Sequence, residues 1–479
     1  MTDGCPPLKL AAHVNAAEQN QIMSVSPLAS ALVGPLFAKP QVLAIFSDER
    51  RLQAMLDAEA ALARAQARLG IIPADAADTI AAHCTYRHFD LAALGAATAA
   101  AGNPAIPLVK ELTALCGEAG RYVHWGATSQ DIIDTGLVLQ LRDLFALLQD
   151  EQAKLIAALT DLAERHRDTV MPGRTFMQHA LPTTFGYRAA TWLDALLRQA
   201  RRNDCLAQRV CCAQFGGAVG TLASLGTDAP QVQQEFAREL SLRVPDLPWH
   251  ATRDRVAETG TVLGLLAGTL AKMARDISLL MQSEIGELAE PSGPGRGGSS
   301  TMPQKRNPVG CAAILAQCEQ VHALVPVVLS AMAADHERGT GSWHAEWLAL
   351  PQIATLSASA LITMRELIEG LHVDAERMQA NLDMHGGVIM AEAIMMALAP
   401  HIGRLNAHHK VADACRRAID TATPLLEVLT HDREIIDKIP AAQLAIICQP
   451  GSYVGAAPML TDKMVMQARQ FLGERNATD

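Results

Sequence analysis

Three stretches of this chain, residues 132 to 168, 183 to 212 and 255 to 290, run without a single proline. Apolar residues recur through each of them at three- and four-residue spacing, the pattern of an amphipathic helix. At ~1.5 Å per residue the last would reach on the order of 54 Å. Helices of that length, joined by few turns, favour a bundle in which parallel and antiparallel members share one core. A shorter helix is marked at 47 to 70, where Ser47 stands ahead of Asp48 and Glu49 and Gly70 ends the run. A hydroxyl cap and early carboxylates satisfy the free amides and the dipole of a helix start. Aromatic residues make up only 4% of a chain that is 49% hydrophobic, so alanine, leucine and methionine supply the apolar mass. Such small, straight side chains suit closely packed helices, and the fold class expected is all-α. The pattern divides into an N-terminal arm (1–36), an N-terminal helical domain (37–130), a central long-helix domain (131–374) and a C-terminal helical domain of shorter helices (375–479).

Lysine and arginine number 40 against 50 acidic residues, a formal charge of −10. Neither nucleic acid nor an anionic membrane surface suits such a chain as partner. An anionic small molecule remains open if cations gather locally. The longest uncharged apolar run near the centre, 323 to 334, falls short of the ~18 residues of a membrane span. The first 36 residues lack a basic start followed by an unbroken apolar core, so no secretory signal is evident, and Met23 is a candidate alternative start. The cysteines have neither zinc-ligand nor CxxC spacing and read as thiols in a reducing cytoplasm. No HExxH, clustered carboxylates or GxGxxG after a strand is present, so neither a metal nor a cofactor is expected.

Between two helical runs lies PSGPGRGGSSTMPQKRNP, residues 291 to 308. Glycine, proline and serine dominate it, as in a solvent-reachable loop. A phosphate-cradling loop needs Gly-Lys-Ser/Thr after its glycines, but here Gly298 runs into Ser299, and the nucleotide reading fails. A serine followed at fixed distance by Lys305, Arg306 and Asn307, with Arg296 in the same loop, suits proton transfer beside a carbanion stabilised by positive charge. Further upstream, HWGATSQD (124–131) opens a long helix, so Thr128 and Ser129 are either ordinary caps or hydroxyl and amide donors for a carboxylate. RTFMQHALPTTFG (174–186) carries His179, which alone reads as a structural histidine. Asn103, between a glycine and a proline, reads as a turn residue. Arg253 and Arg255 flank Asp254 as a surface or cap ion pair, and Trp343, His344, Glu346 and Trp347 as a packing cluster.

The eleven residues GSSTMPQKRNP, together with HWGATSQD and RTFMQHALPTTFG, resemble the signature regions of the fumarase/aspartase superfamily, and the resemblance extends from about Ser26 to Gly473. It implies Ser299 as the group that moves the proton, with His179 in acid–base work or anion binding. It implies substrate carboxylates on Thr128, Ser129, Lys305 and Asn307, with Arg255 as a clamp and Asn103 as a further contact. Phe176 stands where the purine and argininosuccinate lyases carry histidine. An aromatic residue there, followed by Gln-His-Ala, is similar to the cycloisomerase branch, whose members add a substrate carboxylate to a carbon–carbon double bond. Adenylosuccinate lyase is the alternative enzyme, and crystallins on this scaffold are a non-enzymatic one, disfavoured because the loop serine and lysine are present. The family further implies a twenty-helix core in a homotetramer, with each site shared between subunits.

Overall fold

The computed structural model describes residues 26–476 apart from 294, 296 and 300. Met23, Arg296 and Ser300 therefore lie outside the described residues. Five long helices make the body: Ser129–Arg165, Phe185–Val210, Asp254–Leu280, Val309–Ser330 and Ser342–Glu369. Leu144, Leu148, Leu155, Leu196, Leu266, Leu270, Ile314 and Leu361 are fully buried along their facing stripes. Each such side chain contributes roughly 2 kcal/mol of burial. Gly260 allows two of these helices to close up, since a Cβ there would meet the Val328 side chain at 2.6 Å. The Asp48–Arg68 helix begins as expected, with the Ser47 hydroxyl accepting the Arg50 amide at 3.2 Å.

The third long helix is shorter than the 255 to 290 run suggests, ending at Leu280. Residues past it turn back so that the Glu287 amide meets the Leu280 carbonyl at 2.9 Å. Arg377 and Asn381 hold this turn, donating to the carbonyls of Glu284 and Ile285. Two small antiparallel sheets accompany the helices: Val170–Thr175 with Gln178–Thr184, and Leu288–Ala289 with His372–Val373. A second core, from Leu382 to Leu444, belongs to the shorter C-terminal helices. The last helix, Ala457–Asn476, leaves that unit and packs Val465, Ala468 and Phe471 into the main core.

Among the described residues two helices, Val309–Ser330 and Ser342–Glu369, are by length and composition apolar enough to cross a membrane, with mean hydropathies of 1.5 and 1.4. The expectation drawn from the 323 to 334 run overlooks both: Glu319 and His322 break up the first, and residues 347–364 of the second carry no charged side chain over 18 positions. The apolar window of Ser342–Glu369 is 72% buried within the chain, against 33% for Val309–Ser330. The former is a core helix, while the latter keeps an apolar face open, with Leu329 46% exposed. The nine described cysteines are free thiols.

Candidate active site

The loop ahead of Val309–Ser330 closes on itself. The Gly297 carbonyl accepts the Asn307 amide at 2.8 Å, and the Gly298 carbonyl accepts the Asn307 side-chain amide at 3.3 Å. Gly297 has a φ of +68°, and a Cβ on it would lie 2.9 Å from the Asn307 carbonyl oxygen. Only glycine fits both demands. Within the turn, the Ser299 hydroxyl oxygen accepts the backbone N–H groups of Thr301 at 3.3 Å and Met302 at 3.1 Å. Two donors on one oxygen favour its ionised form. The Lys305 amide donates to the Met302 carbonyl at 3.0 Å, and its side chain is exposed. Ser299, Lys305 and Asn307 are thus gathered in one turn. The base of the loop is pinned by buried Glu290, which accepts the amides of Gly310 at 3.0 Å and Cys311 at 2.8 Å.

The Ser129–Arg165 helix opens on a second cluster. Buried Asp131 accepts the Thr128 amide at 2.9 Å, the Gly216 and Gly217 amides at 2.9 Å each, and His250 Nε2 at 2.6 Å. Four donors lock one carboxylate and with it the start of the helix. Gly216 permits a close approach here, since a Cβ on it would sit 2.7 Å from Pro248. Arg338 arrives from a distant loop and donates to Thr128 Oγ1 at 3.2 Å and Gln130 Oε1 at 3.0 Å. An arginine therefore stands beside the helix N-terminus, where amides and dipole already favour an anion. On the other side, His124 Nδ1 meets buried Glu59 at 2.6 Å. Burial works against the charged imidazole, but the charge and hydrogen bond of Glu59, aided by Asp131, outweigh it and hold His124 above its ordinary value.

Arg255 is not in this cluster. Its Nε donates to the Arg209 carbonyl at 3.3 Å and its guanidinium rests near the Trp249 ring. Nor is Arg253 a surface group: it is 2% exposed and bridges Asp134, at 2.6 and 3.1 Å, to Glu346, at 3.0 Å. Trp343 Nε1 also donates to Asp134, at 3.0 Å, so Glu346 and Trp343 are tied to this ion network. One cation faces two carboxylates, and burial pushes Glu346 above the usual carboxylate range. The Asn103 side chain accepts the amides of Ala105 and Ile106 at 3.1 and 3.3 Å and serves as a helix cap. Beside it the Gly102 carbonyl meets His344 Nε2 at 3.2 Å.

The third segment is the hairpin of Val170–Thr175 and Gln178–Thr184. Its two turn residues, Phe176 and Met177, have φ of +49° and +65° and are 100% and 75% exposed. Tight hairpin turns with positive φ at both positions usually take Asn-Gly, so this apolar tip is strained. Arg174 makes a bidentate pair with buried Glu287 at 2.6 and 2.9 Å. His179 lies behind the tip, its ring centre 5.6 Å from that of His385, in a cavity of about 530 Å³ also lined by Arg188, Lys272 and Asn381. Burial, then Arg174 and His385, push the His179 imidazole below its ordinary value. Near neutrality it is uncharged, which suits hydrogen bonding and proton exchange better than holding an anion by charge.

These segments do not meet in one chain. Thr128 and the hairpin stand at opposite ends of a helix of 37 residues, about 55 Å long. The closed loop is anchored at the hairpin end, since Glu287 holds Arg174 and Glu290 holds the loop. Through the Gly297–Asn307 bond, Ser299 is five residue steps and one hydrogen-bond crossing from Gly310, at most about 23 Å. Asp131, His250 and Arg338 escape the sequence reading. The spacing of Asp131 from Thr128, that of a capping box, was the available signal for the first, while nothing local marks Arg338.

A family profile described as Lyase matches residues 37–323, and one described as Adenylosuccinate lyase C-terminus matches residues 387–464. The chain is 49% identical over 433 residues to the 3-carboxy-cis,cis-muconate cycloisomerase of Pseudomonas aeruginosa, covering 90% of this chain and 94% of that one. It is 45% identical over 446 residues to the enzyme of the same name from Acinetobacter baylyi, covering 92% and 99%. The crystal structure of a 3-carboxy-cis,cis-muconate lactonizing enzyme from Pseudomonas putida matches with a TM-score of 0.87 at 44% identity, covering 91% of this chain and 98% of that one.

Proposed function

The chain belongs to the lyase family with a fumarase/aspartase-like all-α fold, and from that premise we propose that it closes 3-carboxy-cis,cis-muconate to 4-carboxymuconolactone as an intramolecular lyase. This is a step of protocatechuate degradation in the β-ketoadipate pathway, and a cytoplasmic setting goes with it. The closed turn around Ser299 is the observation that carries the chemistry. A substrate carboxylate is ionised at neutral pH and adds to the double bond without a base. The new C–O bond pushes the π electrons onto the carbon next to a second carboxylate, giving a carbanion or its enolate. Lys305 and Asn307 supply charge and a donor to that enolate. Thr128, Ser129 and Arg338 hold a carboxylate at the helix N-terminus. Ser299 then gives its proton to the carbon, and the Thr301 and Met302 amides stabilise the alkoxide left behind. His179, neutral and half-buried, relays a proton from solvent to the serine alkoxide or positions the substrate.

We further infer that each site draws on more than one copy of the chain. Thr128 and Ser299 belong to opposite ends of the long helices, beyond each other's reach in one chain, whereas ends meet when copies pack side by side. The open apolar face of Val309–Ser330 and the exposed, strained Phe176–Met177 tip support such packing, and a closed tetramer satisfies it.

The match of residues 387–464 to the adenylosuccinate lyase C-terminus favours a second reading, β-elimination by the same serine run in reverse. Phe176 in place of a histidine speaks against it. Purified protein, given 3-carboxymuconate, muconate and adenylosuccinate separately, is expected to consume only the first, seen as loss of its ultraviolet absorbance. Turnover of adenylosuccinate instead would establish the second reading.

A further inference from the structure

The pair of His124 and Glu59 has no part in the chemistry assigned so far. Glu59 is 1% exposed on the Asp48–Arg68 helix; one of its oxygens meets His124 Nδ1 at 2.6 Å, and the other is shielded and unpartnered among the described residues. Seven positions on, and so on the same helix face, buried Gln66 donates to the Trp125 carbonyl at 2.7 Å. Two buried polar side chains of one helix therefore hold the 124–127 turn, in which the Ala127 amide reaches the His124 carbonyl at 3.2 Å. Within that turn His124 takes a φ of +60°, a left-handed conformation that is uphill for a residue with a Cβ. Backbone strain of this kind persists where surrounding contacts over-determine it, and it gathers at functional sites.

Nδ1 is committed to Glu59, whereas Nε2 has no partner among the described residues and 17% of the side chain stays open to solvent. With the Nδ1 proton on Glu59, a neutral ring leaves Nε2 an acceptor and a charged ring makes it a donor. The charged groups acting on the ring are Glu59, from the Asp48–Arg68 helix, and Asp131, from the Ser129–Arg165 helix, with Arg338 beyond Thr128 the nearby cation. Burial works against the charged ring, but the two carboxylates outweigh it, so the Nε2 donor is present at lower pH and is lost as pH rises through the raised value. Arg338 itself donates only to neutral oxygens, those of Thr128, Gln130 and Ala218, and has no ion pair among the described residues. Glu59 and Asp131 are each taken up by a histidine, so the cation without a counter-charge in this cluster is Arg338, and an anion completes it. Resting on the reading of this helix N-terminus as the carboxylate end of the reaction site, we propose that Glu59 and His124 act as a dyad: His124 Nε2–H is a further donor to the substrate carboxylate held by Thr128, Ser129 and Arg338, and Glu59 is the positioning residue that keeps it a donor.

Kinetics with 3-carboxymuconate, and calorimetry with tricarballylate, a saturated tricarboxylate that cannot react, read the dyad in the full-length protein. His124→Gln is expected to raise KM by about tenfold and to leave kcat within about threefold, the pattern of a group that holds substrate without taking part in bond making. Glu59→Gln keeps an acceptor for Nδ1 and removes the charge, so the alkaline limb of the kcat/KM profile is expected to move to lower pH, with the rise in KM shrinking as the solution is acidified. Tricarballylate is expected to bind the wild type more weakly as pH rises, and His124→Gln about tenfold more weakly and without that dependence. Unchanged KM and affinity in His124→Gln, a loss confined to kcat, or an unmoved alkaline limb in Glu59→Gln each overturns the dyad. If the Glu59→Gln chain does not fold, His124→Gln, altered at a partly open side chain, decides alone. A wild type that leaves 3-carboxymuconate intact overturns the proposed reaction instead, and the tricarballylate affinities still judge the dyad.

Discussion

Replacing Arg253 by methionine keeps its apolar stem and removes five hydrogen bonds at once. Asp134 retains Gln130 and Trp343 as donors, whereas Glu346, 1% exposed, retains none among the described residues. Breaking a buried ion pair from one side costs about 3–5 kcal/mol, because a charge is left without compensation. Unfolding entropy of about 2.1 cal/mol/K per residue amounts to about 1 kcal/mol/K for this chain, so Tm should fall by about 3–5 °C. The deficit depends on pH with a definite sign. Burial already holds the Glu346 carboxyl above its ordinary value, and losing Arg253 raises it further. A carboxyl whose value is raised by folding favours the folded state at acid pH and loses that advantage as pH climbs through the raised value. Arg253→Met should therefore lie closer to wild type in acid than at neutrality. Adding Glu346→Leu, which removes the orphaned charge, should recover most of the loss. Circular-dichroism melts at acidic and neutral pH measure all of this. A wild-type Tm in Arg253→Met, or a double variant no better than the single, would refute the buried-triad reasoning.

Ser299→Ala should lower turnover by about 100-fold while leaving the helical circular-dichroism signal intact; a rate near wild type removes Ser299 from the proton transfer, and an equal loss confined to Ser300→Ala moves the role one residue along. His385 helps to hold His179 below its ordinary value, so His385→Asn should shift the acid limb of the kcat/KM profile to higher pH; an unmoved limb shows that His179 does not govern it.

Much of the architecture is legible from local pattern, because long amphipathic runs and hydroxyl caps act within a few residues of themselves. Ser47 ahead of Asp48 and Glu49 is of that kind. What escapes is set by partners far along the chain. The helix expected to reach Glu290 stops at Leu280, with the turn after it held by Arg377 and Asn381, nearly a hundred residues on. The Arg-Asp-Arg triple looks solvent-facing until Glu346 arrives to pair with Arg253. Arg338 reaches Thr128 across 210 positions, with no local spacing to announce it. The loop residues Ser299, Lys305 and Asn307 are legible together because the turn that gathers them is closed by their own backbone.

The sharing of one site between copies is tested most directly by mixing two inactive chains. Thr128→Val lacks the carboxylate end and Ser299→Ala the proton-transfer end, and each alone should be nearly inert. After co-refolding at equal ratio, random assembly gives about one site in four with both ends intact, so about a quarter of wild-type turnover should return. Hybrids verified by native mass spectrometry that show no recovery, or wild-type activity that survives in an isolated monomer, would contradict the account.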